Sequence, residues 1–172
     1  RAAIYRGPMA EGPSDPPVLL AALRERMLAL AATDADGAFP YLVTPARAAW
    51  TRGVLDAAAA RDARPILAVS LPAVLETDPA AARAAARGYL GPYLRTPAYQ
   101  ACWAEQGFDG ADWEKPGSDR LVDAMVAWGD VEALRGRVAE LVAAGVDHVA
   151  VIPVGPGGTT EYLPVLEALA RG

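Results

Sequence analysis

Few residues in this chain are equipped for chemistry, and two loops hold most of them. The first is Gly155-Pro156-Gly157-Gly158-Thr159-Thr160. Backbone N–H groups of a glycine-rich turn can form an anion-binding concavity, and the hydroxyls add donors. Gly157, Gly158 and Thr159 are its candidate ligand contacts. A plain turn followed by Thr159 or Thr160 as a helix N-cap accounts for the same residues. The stretch matches neither the phosphate loop with its Gly-Lys-Ser/Thr ending nor the dinucleotide fingerprint. The second loop is Ala21-Ala22-Leu23-Arg24-Glu25-Arg26, where an apolar run turns into a helix. A helix amino terminus offers unpaired N–H groups and partial positive charge to an anion. Arg24 adds a guanidinium suited to phosphate, while Glu25 opposes one; the polar first turn of a surface helix is the alternative reading. Cys102 and His148 are each the only residue of their type. That leaves no zinc set and no intrachain disulfide. Cys102 reads as a small buried hydrophobe, and His148, at the start of a strand, as structural. No residue is assigned as catalyst.

These loops need a scaffold, and an apolar run followed by a helical segment recurs about four times. The runs are Pro17–Leu23, Ala38–Val43, Pro65–Leu75 and His148–Val154. Thr44-Pro45 and Asp78-Pro79 are helix starts, a capping side chain followed by a residue preorganised for the first turn. Alternating strand and helix implies a parallel sheet, because a parallel return needs a crossover. Pro72 predicts an end, bulge or bend in the third strand. Tyr99–Gly117 departs from the repeat and reads as an insertion before the last strand, followed by a helix over Asp119–Trp128. The helix after Asp130 carries Val131, Leu134, Val138, Leu141 and Val142 at helical spacing, and Gly145 stops it. Met27, Leu28, Leu30 and Ala31, then Trp50, Val54 and Leu55, are expected on buried helix faces. Phe39, Pro40 and Tyr41 fall near the carboxyl end of the second strand, either walling a flat ring or filling core. Ser70 is a weaker candidate for ligand contact on the third strand.

The chain has 172 residues and is 53% hydrophobic, enough for one domain with a substantial core. The expected architecture is α/β: a partial (β/α)8 barrel of about four units with a helical insertion before the last strand. A complete barrel takes roughly 250 residues. The expected domain spans 1–172, with 1–16 as a loop or linker. Net charge is -5 and Lys115 is the only lysine, which argues against nucleic-acid binding. No apolar run of about 18 residues predicts a membrane span, and no secretory signal is visible. With the lone cysteine, this suits a reducing, cytoplasmic setting. Arg1 rather than Met opens the chain, so a cut or processed amino terminus is expected.

Three segments together resemble the carboxyl-terminal half of the luciferase-like flavin and deazaflavin oxidoreductases. The first is Leu19-Leu20-Ala21-Ala22-Leu23, leading through Met27 to Ala35-Asp36-Gly37-Ala38 and Tyr41-Leu42-Val43-Thr44-Pro45. The second is Val74-Leu75-Glu76-Thr77-Asp78-Pro79 with Ala82-Arg83. The third is Ser118-Asp119-Arg120-Leu121-Val122-Asp123, then Trp128-Gly129-Asp130 and Ala144-Gly145-Val146-Asp147-His148-Val149. The resemblance implies a TIM barrel with an insertion before its last strand. It also implies hydride transfer or monooxygenation of a small organic substrate, with an 8-hydroxy-5-deazaflavin coenzyme or FMN bound across the carboxyl ends of the strands. On that pattern the turn at Ala22, Leu23, Arg24 and Glu25 approaches the cofactor phosphate, although Arg24 and Glu25 stand where the family carries Gly and Pro. Tyr41, Gly157, Gly158 and Thr159 complete the expected cofactor contacts. A homodimer, or an amino-terminal half supplied by further chain, would close the sheet; a non-catalytic half-barrel that pairs with a partner is the competing expectation.

Overall fold

Five helices begin where a capping side chain stops an extended segment. Thr44, Asp78, Ser118 and Asp130 accept from the backbone N–H groups of Arg47, Ala81, Leu121 and Ala133, respectively; at Asp109 the acceptor serves Ala111 N. The computed structural model describes residues 16–61, 63–160 and 162–171; the predicted linker over 1–16 lies almost wholly outside them. The strands are β1 Leu19–Leu20, β2 Gly37–Ala38, β3 Ile66–Leu75, β4 Ala127–Gly129 and β5 His148–Val154. The helices are α1 Glu25–Asp34, α2 Pro45–Ala58, α3 Pro79–Leu90, α4 Pro97–Ala104, α5 Gly110–Trp113, α6 Asp119–Met125, α7 Val131–Ala143 and α8 Leu163–Ala170. Single 3-10 turns lie at Tyr93–Arg95 and Pro156–Gly158.

All strand pairs are parallel: β1 with β2, β2 with β3, and β3 with both β4 and β5. Ala73 and Val74 pair with β4 and β5 at once, so those strands flank β3 on opposite sides. β4 therefore continues the β2 side at the carboxyl end. The barrel-like order β1-β2-β3-β5 follows the sequence, and the insertion precedes the last strand as expected.

β3 runs through Pro72 unbroken, contrary to the expected interruption. Ile66 N donates to Asp36 O and Glu76 N to Gly129 O, whereas Leu67 O accepts from Asp147 N on the β5 side. Even-numbered residues of β3 thus turn their backbone toward β2 and β4. Pro72 faces the gap between the Tyr41–Ser70 bridge and β4, where no ladder donor is required. β1 and β2 are shorter than predicted. Pro40 offers no N–H, and Leu42 sits at φ 55, so β2 stops and only Tyr41 rejoins β3. α6 ends at Met125, not Trp128, because Ala127–Gly129 forms β4.

Side chains alternate between two cores. Leu67, Val69, Leu71 and Ala73 pack with Leu28, Leu55, Leu134, Leu141 and Val165 of α1, α2, α7 and α8. Val74 and Val154 instead join Ala82, Ala86, Tyr89, Trp103, Phe108, Leu121 and Val122 from α3 and the insertion. Each fully buried leucine contributes about 1.5–3 kcal/mol. Several expected core positions are exposed instead: Met27 44%, Leu30 43%, Trp50 38% and Val142 56%. α1, α2 and α7 turn those residues away from the sheet, while Leu28, Ala31 and Leu55 are buried as expected.

Candidate functional site

Parallel strands deliver their following loops to one rim, and the potentially functional side chains collect there. After β1, Ala22 is buried and Leu23 half-buried, while Arg24 and Glu25 are exposed. Arg24 is the N-cap of α1 and makes no side-chain cap bond, so the first N–H groups of that helix lack the partner that Thr44 or Asp78 supplies elsewhere.

Arg47, in the first turn of α2, reaches back to this turn. Its Nη2 donates to Leu23 O at 2.8 Å and pairs with Glu105 Oε2 at 2.5 Å. The guanidinium carbon lies 3.7 Å from the centroid of the Trp50 ring. The Arg47 side chain is only 6% exposed, and its Nε has no acceptor. A buried donor left unmatched costs on the order of 1–3 kcal/mol. Arg47 lines a cleft of about 330 Å³ with Thr44, Ala46, Trp50, Glu105 and Gln106. Gln106 Oε1 accepts from both the Thr44 amide and the Thr44 hydroxyl, each at 2.9 Å. Gln106 Nε2 donates to Cys102 O at 3.1 Å. Cys102 is 1% exposed, and burial pushes its thiol pKa up. It is the small buried hydrophobe that the sequence suggested.

Beside this cleft stands an aromatic wall. Tyr41, at the end of β2, hydrogen-bonds the Tyr89 hydroxyl of α3 and donates to the Tyr93 hydroxyl at 3.5 Å. Tyr41, Tyr93 and Tyr99 meet edge to face at 5.3–6.0 Å between ring centroids. Tyr99 stacks on Trp103, whose Nε1 donates to Leu42 O at 3.1 Å and ties α4 to the end of β2. Burial raises the pKa of Tyr89 and of Tyr99 above the ordinary phenol value.

The loop after β5 contributes a second cleft of about 200 Å³, lined by Val74, Glu76, Ala81, Ala85, Val154, Gly157 and Tyr162 among others. Gly157 and Gly158 lie in the turn that lands on α3. A Cβ on Gly158, at φ +84, would fall 2.4 Å from Tyr89 N, and one on Gly88 2.6 Å from Gly157 O. Glycine at both places permits backbone-to-backbone contact. Thr159 O accepts from Gly155 N at 2.8 Å. Ser70 is half-buried in mid-β3 and pairs with Tyr41 and Ala150. His148 is exposed at the opposite, amino-terminal end of β5.

The rim thus brings Leu23, Arg24, Tyr41 and the Gly157–Thr159 loop onto one side of the molecule. Arg47, Glu105, Tyr89, Tyr93 and Tyr99 were not singled out from sequence. Tyr89, Tyr93 and Tyr99 recur within eleven residues, a visible signal, but nothing local sets Glu105 opposite Arg47. The acid–base pairs of the motif segments prove to be staples away from this cleft. Asp123 accepts from Arg83 Nε and Nη2 at 2.9 and 2.6 Å and from Trp128 Nε1 at 2.8 Å. Asp147 accepts from Leu67 N at 2.9 Å and pairs with Arg52 and Arg64. Asp119 pairs with Arg83 and Arg87. Among the described residues no group of three or more His, Cys, Asp or Glu is placed to hold a metal ion.

A profile described as luciferase-like monooxygenase matches residues 2–148. The chain belongs to that family. Three solved structures are similar to it. A coenzyme F420-dependent tetrahydromethanopterin reductase from Methanopyrus kandleri aligns at TM-score 0.59 and 18% identity, over 81% of this chain and 45% of its own. An F420-dependent secondary alcohol dehydrogenase, solved with an F420–acetone adduct, aligns at 0.62 and 14%, over 91% and 50%. Apo-MsnO8 aligns at 0.54 and 20%, over 95% and 52%. At these identities the likeness establishes the fold, a partial barrel, and the chain spans about half the length of each. No curated protein matches the chain. No helix among the described residues is long and apolar enough to cross a membrane.

Proposed function

We propose that this chain forms the carboxyl-terminal part of a luciferase-like oxidoreductase that acts on a small organic substrate by hydride transfer or monooxygenation, with a deazaflavin coenzyme or FMN. The observation that carries this reading is the gathering of anion-binding donors and an aromatic wall at one rim of a parallel sheet, where α/β enzymes bind ligands. The donor set fits a phosphate ester: the uncapped start of α1, Arg24, and a buried guanidinium with one N–H unmatched. Two of the similar structures carry F420 in their names, which favours the deazaflavin. When bound, such a cofactor supplies the hydride or oxygen chemistry.

The chain's own residues bind, orient and exclude water. Ala22, Leu23 and Arg24 hold the phosphate, with Glu25 at the outer margin. Tyr41 walls the ring, backed by Tyr93 and Tyr99. The Gly157–Thr159 loop, braced on α3, closes the β5 side and leaves the 200 Å³ cleft for a small apolar portion of the substrate. A reducing, cytoplasmic setting suits the deazaflavin reading. Fluorescence titration of this chain with FMN and with the deazaflavin coenzyme tests the proposal. Saturable quenching by either supports it, and no binding of either at high micromolar concentration contradicts it.

A second reading rests on β5. Among the described residues this seven-residue strand pairs only with β3, so its other edge is open, and an open edge invites pairing. On this reading the chain is a non-catalytic half-barrel closed by a partner or by a second copy. Light scattering decides: a dimer that binds no cofactor favours the half-barrel, and a stable monomer contradicts it.

A further inference from the structure

Arg47 presents a guanidinium whose two-donor edge is half used. Nη2 serves both Leu23 O and Glu105, while Nε, on the same edge, has no acceptor. A planar fork of this kind matches two oxygens of a carboxylate or phosphate, yet Glu105 engages it through one oxygen. The two partners differ in exposure, 6% for the Arg47 side chain and 41% for that of Glu105, so the carboxylate can leave for water at little desolvation cost while the arginine cannot. Thr44 opens the fourteen-residue α2 in the same cleft, adding the positive end of a helix. Arg24 lies near enough for its charge to act, with that of Arg47, on the Cys102 thiol. Glu25 lines the neighbouring groove with Ala29 and Gly53, on the far side of the shared Trp50 ring.

We propose that Arg47 is a phosphate-binding residue and that Glu105 is its stand-in anion, displaced when the phosphate ester of a ligand takes both donors of the fork. The ligand phosphate then bridges Arg47 and the turn after β1, and Glu105 swings to solvent from the end of α4. Gln106 keeps α4 anchored to Thr44 during the exchange. Glu105 thereby lowers affinity for any phosphate ester, and its charge sets how much phosphate binding must contribute before the cleft opens. The inference rests on the cofactor reading above for the identity of the ligand, but not for the existence of the anion site.

The test titrates FMN, riboflavin and inorganic phosphate into the unaltered chain and into Glu105→Gln and Arg47→Met, by calorimetry. Riboflavin shares the ring system of FMN and lacks the phosphate. Glu105→Gln should bind FMN and inorganic phosphate about tenfold tighter, equivalent to about 1.4 kcal/mol, with riboflavin unchanged. Arg47→Met should lose the preference for FMN over riboflavin by a similar factor; should it fail to fold, the Glu105→Gln comparison still decides. FMN affinity unaltered by Glu105→Gln overturns the inference and leaves the proposed function standing. Tighter inorganic phosphate with no FMN binding supports the anion site and contradicts FMN, though not the deazaflavin coenzyme, as the ligand. No binding of either FMN or phosphate overturns the inference, and the titration with the deazaflavin coenzyme then decides the proposed function.

Discussion

Asp112 carries a dense set of bonds for a short helix. Its carboxylate accepts from Ser118 Oγ at 2.6 Å, from Arg120 Nε at 3.2 Å and from Asp109 N at 3.0 Å, and the Arg120 hydrogen bond is the main reason its pKa lies well below the ordinary 3.8. A depressed carboxylate stabilises the fold fully above the unfolded value and loses that contribution as pH falls through the folded one. Asp112→Asn should therefore cost roughly 1–3 kcal/mol near neutral pH. The deficit against the unaltered chain should hold above about pH 5 and shrink below about pH 4, read from thermal melts across the acid range. A deficit that persists to the lowest pH would contradict this. The tyrosines give the complementary test at high pH. Tyr89 and Tyr99 are raised by burial, so absorbance titration should show a late phase of tyrosine ionisation above the ordinary phenol range, and Tyr89→Phe should diminish it. Caps and the inert Cys102 were legible at this scale because their signals are local. Arg47 with Glu105, 58 residues apart, was not, since only the fold brings them together.

Elements show the same division between local and long-range signals. β3 and β5 were read correctly because their β-branched runs are long, and α7 because its apolar period is unbroken. β4 escaped notice: three residues carry no period, and Ala127-Trp128 continues a helical composition until Gly129. Pro72 misled for a different reason, since the penalty for proline depends on which neighbour its nitrogen faces. The exposed Trp50 shows that helical spacing fixes a stripe, not which stripe faces the sheet. The glycine turn after β5 can be read from its packing. Gly158→Ala places a Cβ against Tyr89 N at a positive φ and should destabilise the chain by about 2 kcal/mol or more, measured as a lowered urea midpoint. Gly136→Ala, where a Cβ meets nothing within 4 Å, should leave stability level or improve it by up to about 1 kcal/mol. Equal effects at the two positions would mean that the turn is not braced on α3.

At the scale of the molecule, one sheet separates two cores, and the insertion that helps build the second core also supplies Tyr99 and Glu105 to the rim. Strand polarity then decides which end can be functional: His148 lies at the far end, while Arg24, Tyr41, Arg47 and the Gly157–Thr159 loop lie at the carboxyl rim. The partial barrel was legible from the count of strand–helix units. The rim's composition was legible only in part, because half of it comes from the insertion, where the repeat lapses. Hydrogen–deuterium exchange with and without FMN tests this arrangement most directly. The account predicts slowed exchange at the turn after β1, the first turns of α1 and α2 and the loop after β5, with α7 and the amino end of β5 unchanged. Slowed exchange confined to α7, α8 or the amino-terminal ends of the strands would contradict it.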